Sequence, residues 1–253
     1  MNMPKKIAAA LCATLALSAA VSAAPMEAEA QVDILTKTAM VHDGWFVLPE
    51  REKNADEWRY AITDLDRNGR LEVLKVRRGW AEGGPKLLCE ELSEDGSRPH
   101  GEIALSSARV PDILSTDDAT GQPIATLYDA KNNLFHYIFR EIEYHGEYES
   151  VTTKYALTFS NGVLRVSPLA HFHWTLSGYD GSVNKKYYLP AQGGGLGAEI
   201  DAAHYENIER TAFPGCEARN VAFSWKSAED LKNAASGGRL KEALAASFAQ
   251  FAS

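Results

Sequence analysis

An alternation of apolar and polar positions, which is typical of β-strands, is clearest in the middle of the chain. Aromatic and β-branched residues are concentrated there in four segments, with turn signals between them. Asn161-Gly162 is the strongest of these signals, because both residues tolerate positive φ angles and are common in β-hairpins. The pattern predicts an antiparallel meander with strands over 124–128, 134–144, 151–159 and 163–166.

Segments 58–63 and 71–77 predict two more strands nearer the N-terminus. Near the C-terminus, Ser227 is followed three residues later by Asp230, which is a helix-capping pattern. An amphipathic helix is predicted beyond it, because apolar residues recur at helical spacing: Leu240, Leu244, Phe248 and Phe251. Together the elements predict an α+β fold, mainly an antiparallel β meander with a C-terminal amphipathic helix.

Four other segments have weaker patterns. Residues 32–41 predict a short helix, and 45–48 and 221–225 predict short strands. Residues 177–198 contain many glycines and predict a loop.

The N-terminus has the pattern of a secretory signal peptide. Lys5 and Lys6 precede an apolar run over 7–20, and small residues follow up to Ala23. We expect cleavage after Ala23 rather than after Ala30, and a secreted or periplasmic protein. The apolar run is shorter than the ~20 residues that span a bilayer, so no membrane insertion is expected after cleavage.

The predicted organisation is therefore a signal peptide over 1–23, a disordered linker over 24–31 and a single globular α+β domain over 32–253. Loss of the two lysines reduces 26 basic residues to 24, against 34 acidic ones, which gives a net charge of −10. Such a charge argues against nucleic acid as a partner, because nucleic acid requires a basic surface.

Two cysteines remain after that cleavage, Cys89 and Cys216. Disulfides form in the oxidising compartments that exported proteins enter, so a Cys89–Cys216 bridge is predicted. Two buried free thiols are the alternative.

Oxygen-bearing side chains at alternate positions distinguish the segment between the two N-terminal strands. Asp64, Asp66 and Asn68 are followed by the turn residue Gly69, and Glu72 closes the segment. Alternate residues point the same way in a loop that curls around an ion, and the carbonyl of Arg70 fills the gap in the series. The spacing predicts a Ca²⁺ site formed by Asp64, Asp66, Asn68, Arg70 and Glu72. An acidic hairpin turn without a metal is the alternative.

The loop resembles the D-x-D-x-[DN]-G pattern of EF-hand-like and integrin-type (FG-GAP) calcium loops. It departs from a full EF-hand because Lys75 occupies the position of the bidentate Glu, so the integrin-type variant is the better match. The wider segment over 58–73 is similar to a signature of uncharacterised exported bacterial proteins, in which an aromatic-rich β meander follows. The resemblance implies calcium binding and no named activity.

Motifs for a nucleophile elbow, a P-loop or a dinucleotide site are absent from the sequence. His171 and His173 share a strand face but have no nearby ligand in the sequence to complete a metal site. We therefore expect a calcium-stabilised, non-enzymatic binding protein of the bacterial cell envelope, with a protein or glycan partner. A secreted glycan- or peptidoglycan-acting hydrolase is the alternative.

Overall fold

A computed structural model of the chain describes residues 26–41, 44–46, 57–78, 84–93, 99–102, 104–106, 110–114, 120–160, 162–178, 180–192 and 194–252. The predicted signal peptide over 1–23 lies outside these residues. Within the described part of the chain, no helix is both long enough and apolar enough to cross a membrane.

The first sheet has the strand order β13-β1-β2-β3-β4. Its neighbouring strands are antiparallel. The strands are β1 (Trp58–Thr63), β2 (Glu72–Arg77), β3 (Lys86–Leu92), β4 (Pro99–Glu102) and β13 (Lys226–Ser227). The β1–β2 hairpin that carries the predicted calcium loop is therefore in the centre of this sheet.

The second sheet has the order β11-β10-β9-β8-β7-β6-β12, and β5 pairs with β9 in parallel. The strands are β5 (Ala104–Ser106), β6 (Ala125–Asp129), β7 (Leu134–Tyr144), β8 (Glu149–Ser160), β9 (Val163–Leu176), β10 (Val183–Pro190), β11 (Leu196–Ile200) and β12 (Glu217–Arg219). The helices are α1 (Ala28–Ala39), α2 (Ala202–Glu206), α3 (Ile208–Ala212), α4 (Ala228–Ser236) and α5 (Leu240–Ala252). The predicted α+β fold, its antiparallel meander and its C-terminal helix are confirmed.

A shared apolar core joins the two sheets. Leu74 and Cys89 of the first sheet belong to the same buried cluster as Tyr137 and Phe139 of the second sheet, together with Phe251 of α5. The opposite face of the first sheet packs against α1, α4 and α5. The opposite face of the second sheet carries α2 and α3. Successive strand residues point to opposite faces, which lets each sheet serve two cores.

Three predictions of secondary structure are wrong. The linker predicted over 24–31 is helical from Ala28, and Gln31 is buried. The loop predicted over 177–198 contains β10 and most of β11, which pair through the backbone although their side chains are largely exposed or half-buried. Residues 221–225 form no strand. Of the strand predicted over 45–48, residues 45 and 46 form a bend, and 47 and 48 lie outside the described residues.

The predicted Cys89–Cys216 disulfide is also wrong, because both residues are free thiols. Cys89 lies on β3 in the core between the sheets, and Cys216 immediately precedes β12. Cys89 is thus on the first sheet, whereas Cys216 adjoins an edge strand of the second.

Candidate metal centre

The candidate site is the loop that connects β1 to β2. The loop turns sharply because Arg67 and Gly69 have positive φ angles of 57° and 83°. Glycine adopts such angles without strain, whereas Arg67 is an uncommon case that its surroundings must hold in place. The backbone N–H of Arg67 donates to the carbonyl of Asp64 at 3.2 Å and closes the turn.

Carboxylate oxygens of Asp64, Asp66 and Glu72 lie within 4.8 Å of one another. Glu72 is fully buried, and Asp64 is 8% exposed. Glu72 reaches the loop from β2, and it lies on the sheet face that Leu74 presents to the core between the sheets. The fold therefore holds three carboxylates together at the margin of an apolar core.

Each of the two buried carboxylates uses one oxygen to hold the loop in shape. Glu72 Oε2 accepts hydrogen bonds from the Leu65 N–H at 2.8 Å and from Thr63 Oγ1 at 3.0 Å. Asp64 Oδ2 accepts one from the Gly69 N–H at 3.2 Å. Their other oxygens, Glu72 Oε1 and Asp64 Oδ1, are buried and have no hydrogen-bond partner among the described residues. Buried polar atoms in proteins are nearly always paired, so these two need an explanation.

The environment opposes negative charge on all three acids. Burial raises the pKa of Asp64 to about 6 and also raises the pKa of Asp66. Burial and then the charge of Asp64 raise the pKa of Glu72 well above its usual range. Without a cation nearby, these acids favour protonation, because the charged form is poorly solvated and repelled by its neighbours.

The two arginines of the loop point to other partners. The guanidinium of Arg67 lies 4.6 Å from the ring centroid of Phe251, and its Nη2 donates to the Phe251 carbonyl at 3.3 Å. Arg70 forms an ion pair with Glu91 at 2.9 Å. The positive charges of the loop are therefore bound to Phe251 and Glu91, rather than paired with the three clustered acids.

Asn68 and Arg70 are placed differently from the predicted ligands. The Asn68 oxygen accepts the N–H of Arg70 at 2.7 Å, and its amide nitrogen donates to Asp66 and Glu91. Asn68 thus braces the loop in this structure. That the Asn68 oxygen and the Arg70 carbonyl bind the ion stays a prediction.

The structure adds two residues that the sequence pattern did not identify. Gln31 of α1 donates from Nε2 to the Gly69 carbonyl at 2.6 Å and accepts the Leu71 N–H at 2.8 Å. Glu91 pairs with Glu72 across β2 and β3 and contributes to raising the pKa of Glu72. The motif spacing contains no signal for either residue, since both reach the loop through tertiary contacts.

Three buried or half-buried carboxylates with two unpaired oxygens form an all-oxygen donor set, which hard cations prefer. No family model matches this chain, and comparisons with curated proteins and with solved structures find no match.

Proposed function

We propose that this chain is an exported protein in which a Ca²⁺ ion stabilises the β1–β2 hairpin, and that it acts by binding a partner at the bacterial cell envelope. Asp64, Asp66 and Glu72 are the proposed ligands. The supporting observation is the pair of buried oxygens, Asp64 Oδ1 and Glu72 Oε1, which lack a hydrogen-bond partner among the described residues. An isolated buried carboxylate is strongly destabilising, and a divalent cation between the groups removes that penalty.

Calcium suits this donor set better than other common cations. Zinc in proteins favours nitrogen and sulfur ligands, and magnesium requires a nearly ideal octahedron and keeps several waters. Ca²⁺ accepts six to eight oxygens in flexible geometry. The three carboxylates of the loop differ in burial and position, and the flexible geometry of Ca²⁺ can accommodate such a set.

Exposed apolar side chains at one end of the second sheet support a binding role. Tyr144 is 70% exposed at the end of β7, Tyr148 is 54% exposed just before β8, and Val183 is 51% exposed at the start of β10. Tyrosine is enriched in protein interfaces because its ring is apolar and its hydroxyl forms hydrogen bonds. A protein or glycan surface is the proposed partner.

The hydrolase alternative gains no support from the cleft beside α4. Its volume is about 350 Å³, and its lining includes Arg59, Arg78, Trp225 and Asp230. Asp230 is the one carboxylate among the described lining residues, and it accepts the Ser227 N–H at the helix start. Glycoside hydrolysis ordinarily uses two facing carboxyl groups.

The calcium proposal is tested by thermal unfolding of the purified protein with and without calcium. Extracellular calcium modules bind with dissociation constants near 10⁻⁴ M at the tight end. At about 100-fold that concentration, the ion adds about 2.7 kcal/mol to the free energy of unfolding. For a domain of this size the thermal midpoint then rises by roughly 5–10 °C.

The rise is expected to vanish in the double variant Asp64→Asn, Asp66→Asn. The matched control neutralises two exposed acids elsewhere, Glu147→Gln and Glu199→Gln, and keeps the calcium response. A wild-type midpoint that calcium leaves unchanged would refute the calcium site.

A further inference from the structure

A second cluster of metal-ligand side chains lies on the other sheet. One ligand atom each from Asp129, His136 and Cys216 lies within 4.8 Å of the other two. The cluster offers oxygen, nitrogen and sulfur, whereas the calcium loop offers only oxygen. Asp129 and His136 belong to the β6–β7 hairpin, and Cys216, which is distant in sequence, joins them because β12 pairs with β6.

The two strands beside β7 place different groups near the His136 ring. His136 lies on β7 between β6 and β8, and it is 8% exposed. On the β8 side, its Nδ1 is 2.8 Å from Thr158 Oγ1. On the β6 side lie Asp129, at the strand end, and Cys216, just before β12. Because Thr158 engages Nδ1, Nε2 is the nitrogen left for a ligand.

Each residue of the cluster is held by its surroundings. Asp129 Oδ1 accepts the N–H groups of Lys131 and Asn132 at 3.0 and 3.2 Å, and Oδ2 accepts Asn132 Nδ2 at 2.6 Å. Oδ1 thus uses both of its lone pairs in the turn, and Oδ2 keeps one for a metal. The Cys216 N–H donates to the Phe213 carbonyl at 3.3 Å, and the Phe213 ring stacks 4.0 Å from that of His136.

We propose that Asp129, His136 and Cys216 bind a transition-metal ion of the zinc class, with Thr158 orienting the imidazole. A histidine that ligates through one nitrogen normally donates its other N–H to a fixed acceptor, and Thr158 Oγ1 is such an acceptor. A carboxylate and a thiolate together balance the charge of a divalent ion. Three protein ligands leave a fourth position of a tetrahedral site for water or an exogenous ligand.

The same three residue types could instead form a cysteine–histidine–aspartate catalytic triad. In a triad the base contacts the nucleophile through one nitrogen and the orienting acid through the other. Here the ligand atoms of Asp129 and Cys216 both lie within 4.8 Å of one ring nitrogen. That convergence fits a shared metal ion rather than a relay through the ring.

The test uses Co²⁺ as a spectroscopic substitute for zinc. Purified protein is reduced, stripped with a chelator, and titrated with Co²⁺ in excess calcium, which occupies the oxygen-only loop. We expect a thiolate-to-cobalt charge-transfer band that Zn²⁺ displaces. Cys216→Ser abolishes the band, and the matched variant Cys89→Ser retains it. No band in the wild type, or a band that survives Cys216→Ser, overturns the proposal.

Two further variants separate ligation from folding. Asp129→Asn keeps an oxygen for the hydrogen bonds of its turn but removes the charge, and we expect at least a tenfold loss of Co²⁺ affinity. Thr158→Val removes the acceptor of the imidazole N–H, and loss of such a hydrogen-bond partner of a ligand weakens metal binding by about 10–100-fold. Unchanged affinity in both folded variants contradicts the site. The site is also contradicted if Cys216 is alkylated rapidly, if the rate depends on His136, and if zinc does not slow it. That result would identify Cys216 as a nucleophile.

The Asp64→Asn, Asp66→Asn variant distinguishes this site from the calcium loop. It is expected to lose the calcium response and to retain the cobalt band. A loss of both signals in a folded variant would contradict two independent sites.

Discussion

At the scale of single residues, the hairpin loop depends on a few buried polar groups with definite partners. Gln31 satisfies the Gly69 carbonyl and the Leu71 N–H with one side chain, and both Gln31 and Leu71 are almost fully buried. A buried backbone group that loses its partner is destabilising by about 1–3 kcal/mol. The amide of Gln31 therefore stabilises the folded state by holding the loop backbone.

We expect Gln31→Ala to lower the free energy of unfolding by about 2 kcal/mol, because the carbonyls of Met26 and Gly69 and the buried Leu71 N–H lose a partner. Urea denaturation measures the change. The control Gln122→Ala removes an amide that also bonds the backbone, at Phe223 and Thr120 rather than at the loop. Gln31→Ala is expected to weaken the calcium response, and Gln122→Ala is expected to leave it intact. Equal calcium responses in the two variants would show that Gln31 does not shape the loop.

The buried acids predict a pH dependence of the calcium-free protein. Burial raises the pKa of Asp64 to about 6, above the value of about 3.9 for an unfolded chain. Between those values the folded state binds more protons than the unfolded state, so the contribution of Asp64 to stability falls as pH rises from about 4 to 6. Urea denaturation at several pH values, with a chelator present, should show a smaller fall in Asp64→Asn. Identical pH profiles of the two proteins would contradict the buried, uncompensated state of Asp64.

At the scale of elements, α4 shows how a local signal determines a helix start. Ser227 Oγ accepts the Asp230 N–H at 2.9 Å, and Asp230 Oδ2 accepts the Ser227 N–H at 3.0 Å. This reciprocal pair is the capping box that the sequence pattern predicts. It also lowers the pKa of Asp230, so this contribution is present above the unfolded pKa of Asp and is lost as pH falls through the lower folded value.

Ser227→Ala is expected to destabilise the protein by about 1 kcal/mol, since it leaves an N-terminal N–H of α4 without its acceptor. Ser236→Ala, at the exposed end of the same helix, is the matched control. Chemical denaturation of both variants gives the comparison. If Ser236→Ala lowers the free energy of unfolding as much as Ser227→Ala does, the hydrogen bond of the cap does not account for the loss.

The elements that could be predicted from the sequence are those with a side-chain periodicity of their own. β1 and β7 can be predicted because aromatic and β-branched residues are concentrated in them, and α5 because its buried residues recur at helical spacing. β10 and β11 could not be predicted, because neither strand contains a fully buried residue, and Tyr187, Leu189 and Ile200 are only partly buried against the cluster under the sheet.

The same limit applies to the candidate site. Asp64, Asp66 and Glu72 follow a local spacing, and the structure brings their carboxylates together. Gln31 contacts Gly69 from 38 residues away, and Glu91 contacts Asn68 from 23 residues away. Contacts of that kind depend on how helices and strands pack, which motif spacing does not encode. The Asp129–His136–Cys216 cluster likewise depends on the pairing of β12 with β6.

At the scale of the whole molecule, the two sheets are held together by packing. Phe251 of α5 is fully buried in the core between the sheets, with its ring 5.4 Å from that of Phe223 and 6.2 Å from that of Tyr137. The same residue lies under Arg67 of the hairpin loop. Stability of the pair of sheets therefore depends on apolar burial at this junction, not on a bond between Cys89 and Cys216.

The thiol chemistry of the intact protein tests this arrangement. We expect a reducing agent to leave the thermal midpoint unchanged, because Cys89 and Cys216 form no bridge. In the chelator-treated native protein a thiol reagent should modify Cys216, which is partly exposed, and should reach Cys89, which is 0% exposed, only after unfolding. If neither thiol reacts after the protein is denatured without a reductant, the two cysteines form a disulfide instead.

The contact between Gln31 and the loop has a consequence for the start of the chain. Because one amide ties α1 to the turn around Gly69, docking of that helix and occupancy of the proposed ion site are thermodynamically linked. Each strengthens the other by the same factor, so a protease or a partner that pulls α1 away loosens the ion. Undocking of α1 is therefore expected to lower the affinity of the proposed ion site, although α1 supplies none of its ligands.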